Sequence, residues 1–232
     1  MARTVDEVMR VVTLLPELLG TYGDGGNALV LAKRASRRGF DVEATEVRVG
    51  ERLPRADIYL LGGGEDGPQR QGADLLRSLG LREAYEAGAH VVAVCAGLQI
   101  LGTCFAVEGE DEYEGLGLVD VVTTRGSRRS VGEMAVAVGE NLLVGFENHA
   151  GVSVLGEGLD SLGNVVRGRG NDGRVDGYRA DRLWATYAHG PVLAMNPWFA
   201  DEVLTSVLDA EIDPLPSVAD QLYAERRRAL GL

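Results

Sequence analysis

The chain is poor in the residues that staple or decorate other folds. Its 232 residues include two cysteines, three histidines and 6% aromatics. Cys95 and Cys104 cannot build a disulfide framework, and no CxxC or Cys/His spacing suits a structural zinc, so no metal site is expected. Long hydrophobic runs are missing too. The longest cover about half a dozen residues, against the ~20 that cross a bilayer. The opening Met1-Ala-Arg-Thr-Val-Asp-Glu has no apolar core of a signal peptide. A cytoplasmic protein without a transmembrane segment is therefore expected. Positive charge is scarce: 23 Lys and Arg stand against 35 Asp and Glu, a net −12. That excludes the basic face a phosphate backbone needs, and with it a nucleic-acid partner. No G-x-x-x-x-G-K-[ST] occurs, so the chain has no P-loop of its own.

What is present is an ordinary apolar share of 45% and an excess of glycine, 32 residues. A chain of this length buries a full core without staples. Glycine at roughly twice its usual ~7% points to tight turns or to backbone brought close to a ligand. Apolar runs alternate with helix-like stretches in the first half. Val11-Val12-Thr13-Leu14-Leu15 reads as a strand stopped by Pro16, and residues 27–38 as a helix stopped by Gly39. Residues 42–47 read as an edge strand. Asp57-Ile58-Tyr59-Leu60-Leu61 reads as a buried strand closed by Gly62-Gly63-Gly64. A helix over 73–87 ends at Gly88; Val91-Val92-Ala93-Val94 leads into Cys95, and a helix over 98–104 follows. This rhythm predicts an α/β fold, a mostly parallel central sheet flanked by helices. Strand-like stretches at 118–124, 134–138, 142–146 and 183–188, with glycine-rich turns, predict added antiparallel strands. Helices over 196–208 and 217–230 close the chain. Without repeats or linkers, a single domain over 1–232 is expected, with its core at about 10–208 and a C-terminal helix over 216–230.

The strongest local signal is Val94-Cys95-Ala96-Gly97-Leu98-Gln99. A buried strand that feeds one cysteine, then small residues and a helix start, is a nucleophile elbow in cysteine form. The helix N-terminus is expected to lower the thiol pKa and to offer oxyanion donors. Cys104 is expected inside the following helix, as core. A thiolate needs a base. His90 starts the strand that ends at Cys95 and so lies at the far end of the sheet, whereas His189 ends the run Leu183-Trp-Ala-Thr-Tyr-Ala-His and can meet the elbow. His149 follows another strand. Gly62-Gly63-Gly64 puts bare N–H groups at the same sheet edge. Gly23-Asp24-Gly25-Gly26-Asn27-Ala28 matches G-x-G-x-x-A, but residues 16–22 separate it from its strand, which weakens a dinucleotide reading.

At these residues the chain resembles a known family. Cys95-Ala96-Gly97-Leu98-Gln99 is similar to the C-x-G-x-Q elbow of class I, triad-type glutamine amidotransferases, whose fold is flavodoxin-like. Gly62-Gly63-Gly64-Glu65-Asp66-Gly67-Pro68-Gln69 resembles the glycine-rich loop of their cobyric acid synthase-like branch. Leu14-Leu15-Pro16, Tyr22-Gly23-Asp24-Gly25-Gly26-Asn27 and Phe146-Glu147-Asn148-His149 are similar to the GatD group, glutaminase subunits that work with MurT. The resemblance covers about residues 10–208.

It implies hydrolysis of L-glutamine, with the ammonia passed to a MurT-like Mur-ligase subunit in a heterodimer. That partner carries ATP and Mg and amidates D-glutamate of lipid II to D-isoglutamine, so this chain needs no cofactor and acts at the inner face of the plasma membrane through its partner. By the resemblance, Cys95 is the nucleophile and His189 the base and acid. Gly63 or Gly64 and Ala96 bind the oxyanion, and Arg129 binds the substrate carboxylate, with Arg128 as its alternative. Gln99 and Asn148 are further pocket candidates. The usual His-x-Glu is broken here, as His189-Gly190-Pro191. The GatD group shares the gap, which implies that MurT supplies the acid. The alternatives are another carboxylate acceptor, cobyrinate-like, or a catalytically silent binding subunit.

Overall fold

In a computed structural model, which describes residues 8–231, the first half forms a doubly wound α/β layer. Residues 1–7, read above for a signal peptide, lie outside the described residues. The elements run β1 (Met9–Leu14), α1 (Gly26–Ser36), β2 (Val42–Val47), β3 (Ile58–Leu61), α2 (Asp66–Leu79), α3 (Leu81–Glu86), β4 (His90–Val94) and α4 (Ala96–Leu101). Then come β5 (Cys104–Val107), β6 (Glu110–Glu114), β7 (Val121–Val138), β8 (Asn141–Leu155), β9 (Gly163–Arg167), β10 (Val175–Asp176), β11 (Tyr178–Ala180) and β12 (Leu183–Thr186). The chain closes with α5 (Val192–Met195), α6 (Pro197–Leu208) and α7 (Val218–Ala229).

The central sheet has the order β2-β1-β3-β4-β12-β11, parallel except for β11. β3, β4 and β12 are buried along their whole length, as strands covered on both faces must be, and their β-branched and aromatic residues build the core with Tyr59, Trp184 and Phe199. β2 is largely exposed and forms the edge. The parallel part has the flavodoxin-like order 2-1-3-4-5, in which the chain leaves β1 and β3 in opposite directions. A crevice opens there, at the carboxyl ends of the strands.

The antiparallel strands mostly build a second sheet, β10-β9-β7-β5-β6, with β8 paired to β7. β7 and β8 form a long hairpin whose register slips between Arg125 and Ser130. The slip leaves residues 126–129 out of the ladder, a bulge that turns their side chains off the sheet. A two-way backbone pairing of Phe146 with His189 ties this hairpin to the end of the central sheet.

Two local expectations are corrected. The helix expected over 73–87 is two, because Gly80 adopts φ 79° and ends α2 before α3 begins. The helix after Cys95 stops at Leu101, so Cys104 is the first residue of β5 and only half-buried. No described helix is long and apolar enough to cross a membrane.

α1 is fastened to α6 by a guanidinium pair. Arg34 forks onto Asp201 (Nε–Oδ1 2.6 Å) and Arg38 reaches the same carboxylate at 3.0 Å. Both arginine side chains are largely buried. Asp201→Ala strands two buried charges, a loss of about 3 kcal/mol or more. For a chain of this size that lowers Tm by roughly 6–12 °C, which a calorimetric melt checks.

Candidate active site

Cys95 sits between the last residue of β4 and the first of α4, with φ 53° and ψ −104°. A non-glycine residue held there is strained, and the neighbours enforce it. The Cys95 N–H donates to Thr186 O at 2.9 Å and the Gly97 N–H to Gly62 O at 3.2 Å. Gly97 has no room for a side chain: a Cβ there would lie 2.7 Å from the Leu61 Cβ. The elbow thus follows from a small residue wedged between two strand ends.

His189, beyond the tip of β12, arrives at the same edge. Its ring is fully buried and flanked by Tyr22, ring centroids 4.5 Å apart, and Phe146, 5.4 Å. Nδ1 lies 3.0 Å from Asp24 Oδ2, and Nε2 is buried without a hydrogen-bond partner. The Asp24 side chain is 1% exposed and its Oδ2 also accepts the Gly63 N–H at 2.9 Å. This corrects the expectation that the orienting acid must come from a partner. The chain holds a carboxyl on the far nitrogen of the imidazole, on the loop before α1 instead of two residues past the histidine. With Nδ1 held by Asp24, the unpartnered Nε2 is left as the atom that can take a proton.

The glycine loop is corrected in part. Gly63 gives its N–H to Asp24 and cannot also serve an oxyanion, and a Cβ on Gly63 would strike the His189 ring at 2.6 Å. Gly64 lines the cavity beside Cys95, and the Ala96 N–H bonds to the Cys95 sulfur. The thiol acidity is corrected as well. Burial pushes Cys95 up to about 12, the nearby Asp24 charge adds to this, and the Ala96 N–H only partly opposes it. α4 is six residues long and its weak dipole loses to desolvation. The resting thiol is therefore neutral, and its proton has to leave through a base.

Over the cysteine, Arg129 projects from the bulge. Its Nε donates to Asn148 Oδ1 at 2.6 Å and Nη2 to the Tyr22 hydroxyl at 3.1 Å, with Glu65 Oε1 at 3.7 Å. Tyr22 donates to Glu65 at 2.8 Å and accepts from Asn148 Nδ2 at 3.2 Å. Burial, then the Glu65 carboxylate, push the Tyr22 phenol up to about 12, so it stays a hydroxyl. Arg129 lines the cavity with Cys95, and Arg128 does not. Gln99 is buried beneath and lines the cavity floor: Oε1 accepts from Gln69 at 2.8 Å and Nε2 donates to the Tyr187 hydroxyl at 3.1 Å. His149 is buried against Glu147 at 3.2 Å and stacks on Tyr187, and His90 lies at the opposite end of the sheet against Trp184.

The cavity holds about 40 Å³ of water-accessible space. At roughly 10–15 Å³ per water that is room for a few waters. The glycines before α1 do not make a dinucleotide site. A Cβ on Gly26 would meet the Pro191 ring at 2.4 Å, and the buried Asp24 carboxyl opposes an anion there. Asp24, Tyr22 and Glu65 were the residues missed. Tyr22 and Asp24 lie in the glycine cluster before α1 and Glu65 in the loop Gly62-Gly63-Gly64-Glu65, stretches read as family marks with no role given to these side chains.

Comparison with known proteins agrees with this geometry. A model of the CobB/CobQ-like glutamine amidotransferase domain matches residues 10–197. The chain is 32% identical over 203 residues to the lipid II isoglutaminyl synthase (glutamine-hydrolyzing) subunit GatD of Staphylococcus aureus, covering 84% of this chain and 83% of that protein. The GatD subunit of Streptococcus pneumoniae is 29% identical, with 94% and 88% covered. A cobyric acid synthase of Pelotomaculum thermopropionicum is 33% identical, but only 31% of its length is covered. Among solved structures, one described as a glutamine amidotransferase superposes with a TM-score of 0.61 at 23% identity, over 86% of this chain and 99% of that one. The PurLQS structure from Thermotoga maritima gives 0.58 at 16% identity, over 87% and 96%. These two show the fold.

Proposed function

The chain belongs to the CobB/CobQ-like glutamine amidotransferase family, and on that premise we propose that it hydrolyses L-glutamine and hands the ammonia to a MurT-type subunit. That partner, with ATP and Mg, amidates the α-carboxyl of D-glutamate in lipid II, in the cytoplasm at the inner face of the plasma membrane. The observation that carries the proposal is the Asp24–His189 pair beside an elbow cysteine.

In this reading His189 Nε2 takes the Cys95 proton as the sulfur attacks the amide carbonyl. The tetrahedral oxyanion lies against the N–H groups of Gly64 and Ala96. His189 then gives its proton to the leaving nitrogen, ammonia departs, and a water deprotonated by His189 cleaves the thioester to glutamate. Asp24 holds the ring and stabilises the imidazolium throughout. Arg129 takes the substrate α-carboxylate. Residues 10–208 form the amidotransferase core.

The cobyrinate-like alternative has less support, since cobyric acid synthases are matched over about a third of their length and the GatD subunits over most of theirs. A silent binding subunit does not need an assembled Cys, His and Asp. The test follows amide-15N glutamine in the presence of a MurT-type partner, ATP, Mg and lipid II. Label in lipid II supports the reading. Glutamate release without label there refutes the acceptor, and no glutamate release refutes the glutaminase.

Arg129→Ala is expected to raise the glutamine KM about tenfold to a hundredfold, the loss of a charge-assisted contact of about 1.5–3 kcal/mol. Steady-state kinetics check it. An unchanged KM removes Arg129 from the carboxylate role.

A further inference from the structure

The mouth of the cavity carries two opposite charges on different elements, Arg129 from the β7 bulge and Glu65 just ahead of α2. Their nearest atoms are 3.7 Å apart. Both line the same cavity as Cys95, and both act electrostatically on its sulfur. Both side chains are about half-exposed, so a small molecule entering the crevice meets them first.

An α-amino acid carries its carboxylate and ammonium on one carbon, a few ångströms apart, and this pair sets a cation and an anion at a similar spacing. Each charge is now answered by side chains: Arg129 by Asn148 and Tyr22, Glu65 by the Tyr22 hydroxyl. A zwitterionic head group offers the same donors and acceptors at full charge and can exchange with them.

The other acid lining the cavity, Asp66, is already bound to Arg125 at 2.9 Å. Glu65 Oε1 accepts from a neutral phenol hydroxyl, and the Arg129 guanidinium stands 3.7 Å off, beyond hydrogen-bond reach. We propose that Glu65 is the ammonium-binding residue of the site, and that with Arg129 it selects a free zwitterionic α-amino acid over amides lacking the α-amino group. This deepens the glutaminase reading and rests on it.

The test compares kcat/KM for glutamine and for its desamino analogue, 4-carbamoylbutanoate, by ammonia release, using the full chain with its MurT-type partner. The wild type is expected to prefer glutamine. Glu65→Gln should shrink that preference about tenfold or more, as loss of one charge-assisted contact implies. Arg129→Ala should keep the preference over the desamino analogue and lose that over glutamine α-amide. Glu65→Gln with an undiminished preference overturns the proposal, as does a preference that falls in Asp66→Asn instead. If the wild type releases no ammonia from glutamine, the glutaminase reading fails and this assignment falls with it. Hydrolysis of glutamine with no preference over the analogue overturns the Glu65 assignment alone.

Discussion

Cys95→Ser is expected to abolish glutamine hydrolysis, lowering kcat by at least about 10⁴. A serine hydroxyl is far less acidic than a thiol and a poorer nucleophile, and the site gives little help beyond its base. The structure sharpens this expectation. Burial already holds the thiol up to about 12, and the same surroundings work against ionising a serine hydroxyl. Cys104→Ala serves as the control. That residue begins β5, half-buried and away from the elbow, and its loss should leave turnover within about twofold, the range of a small surface change. Glutamate release by each variant checks both.

Asp24→Asn is expected to lower kcat by roughly 10²–10⁴ while KM for glutamine moves little. The upper figure is the cost of the same change in a serine triad; a cysteine, intrinsically more acidic, depends on its acid less. Shape is preserved, and the fault is in the charge. The Gly63 N–H and His189 Nδ1 both bond to the one oxygen Asp24 Oδ2, so an amide oxygen in its place keeps both contacts. What is lost is the negative charge beside the imidazolium that forms when His189 takes a proton. A fall in kcat with a steady KM is the signature of a lost orienting group.

How much of this was legible in the sequence depends on distance along the chain. The strands of the central sheet were readable because each is a short apolar run buried on both faces. Cys95 was readable because an elbow is a local device, a strand end, a cysteine and two small residues. His189 could be placed at a strand tip by the same logic. Asp24 could not, since 165 residues separate it from His189; only the reversal of strand order between β1 and β3 brings its loop over β12. The broken His-x-Glu was a true observation, but it spoke for one position alone. Arg129 and Arg128 were indistinguishable until the register slip between Arg125 and Ser130 set which one turns into the cavity. The expected thiol acidity failed for a reason of magnitude: a helix of six residues offers a small dipole, and complete burial outweighs it.

Whether nucleophile, base and orienting acid all lie in this one chain is decided by the rate at which a glutamine-like chloroketone alkylates Cys95 in the isolated chain, wild type against Asp24→Asn, with the labelled residue read by peptide mass spectrometry. Labelling of wild-type Cys95 is expected without any partner, slowed about tenfold or more in Asp24→Asn as the imidazolium loses its counter-charge. Equal rates in the two proteins, or labelling that begins only when the partner subunit is added, would contradict a triad complete in this chain.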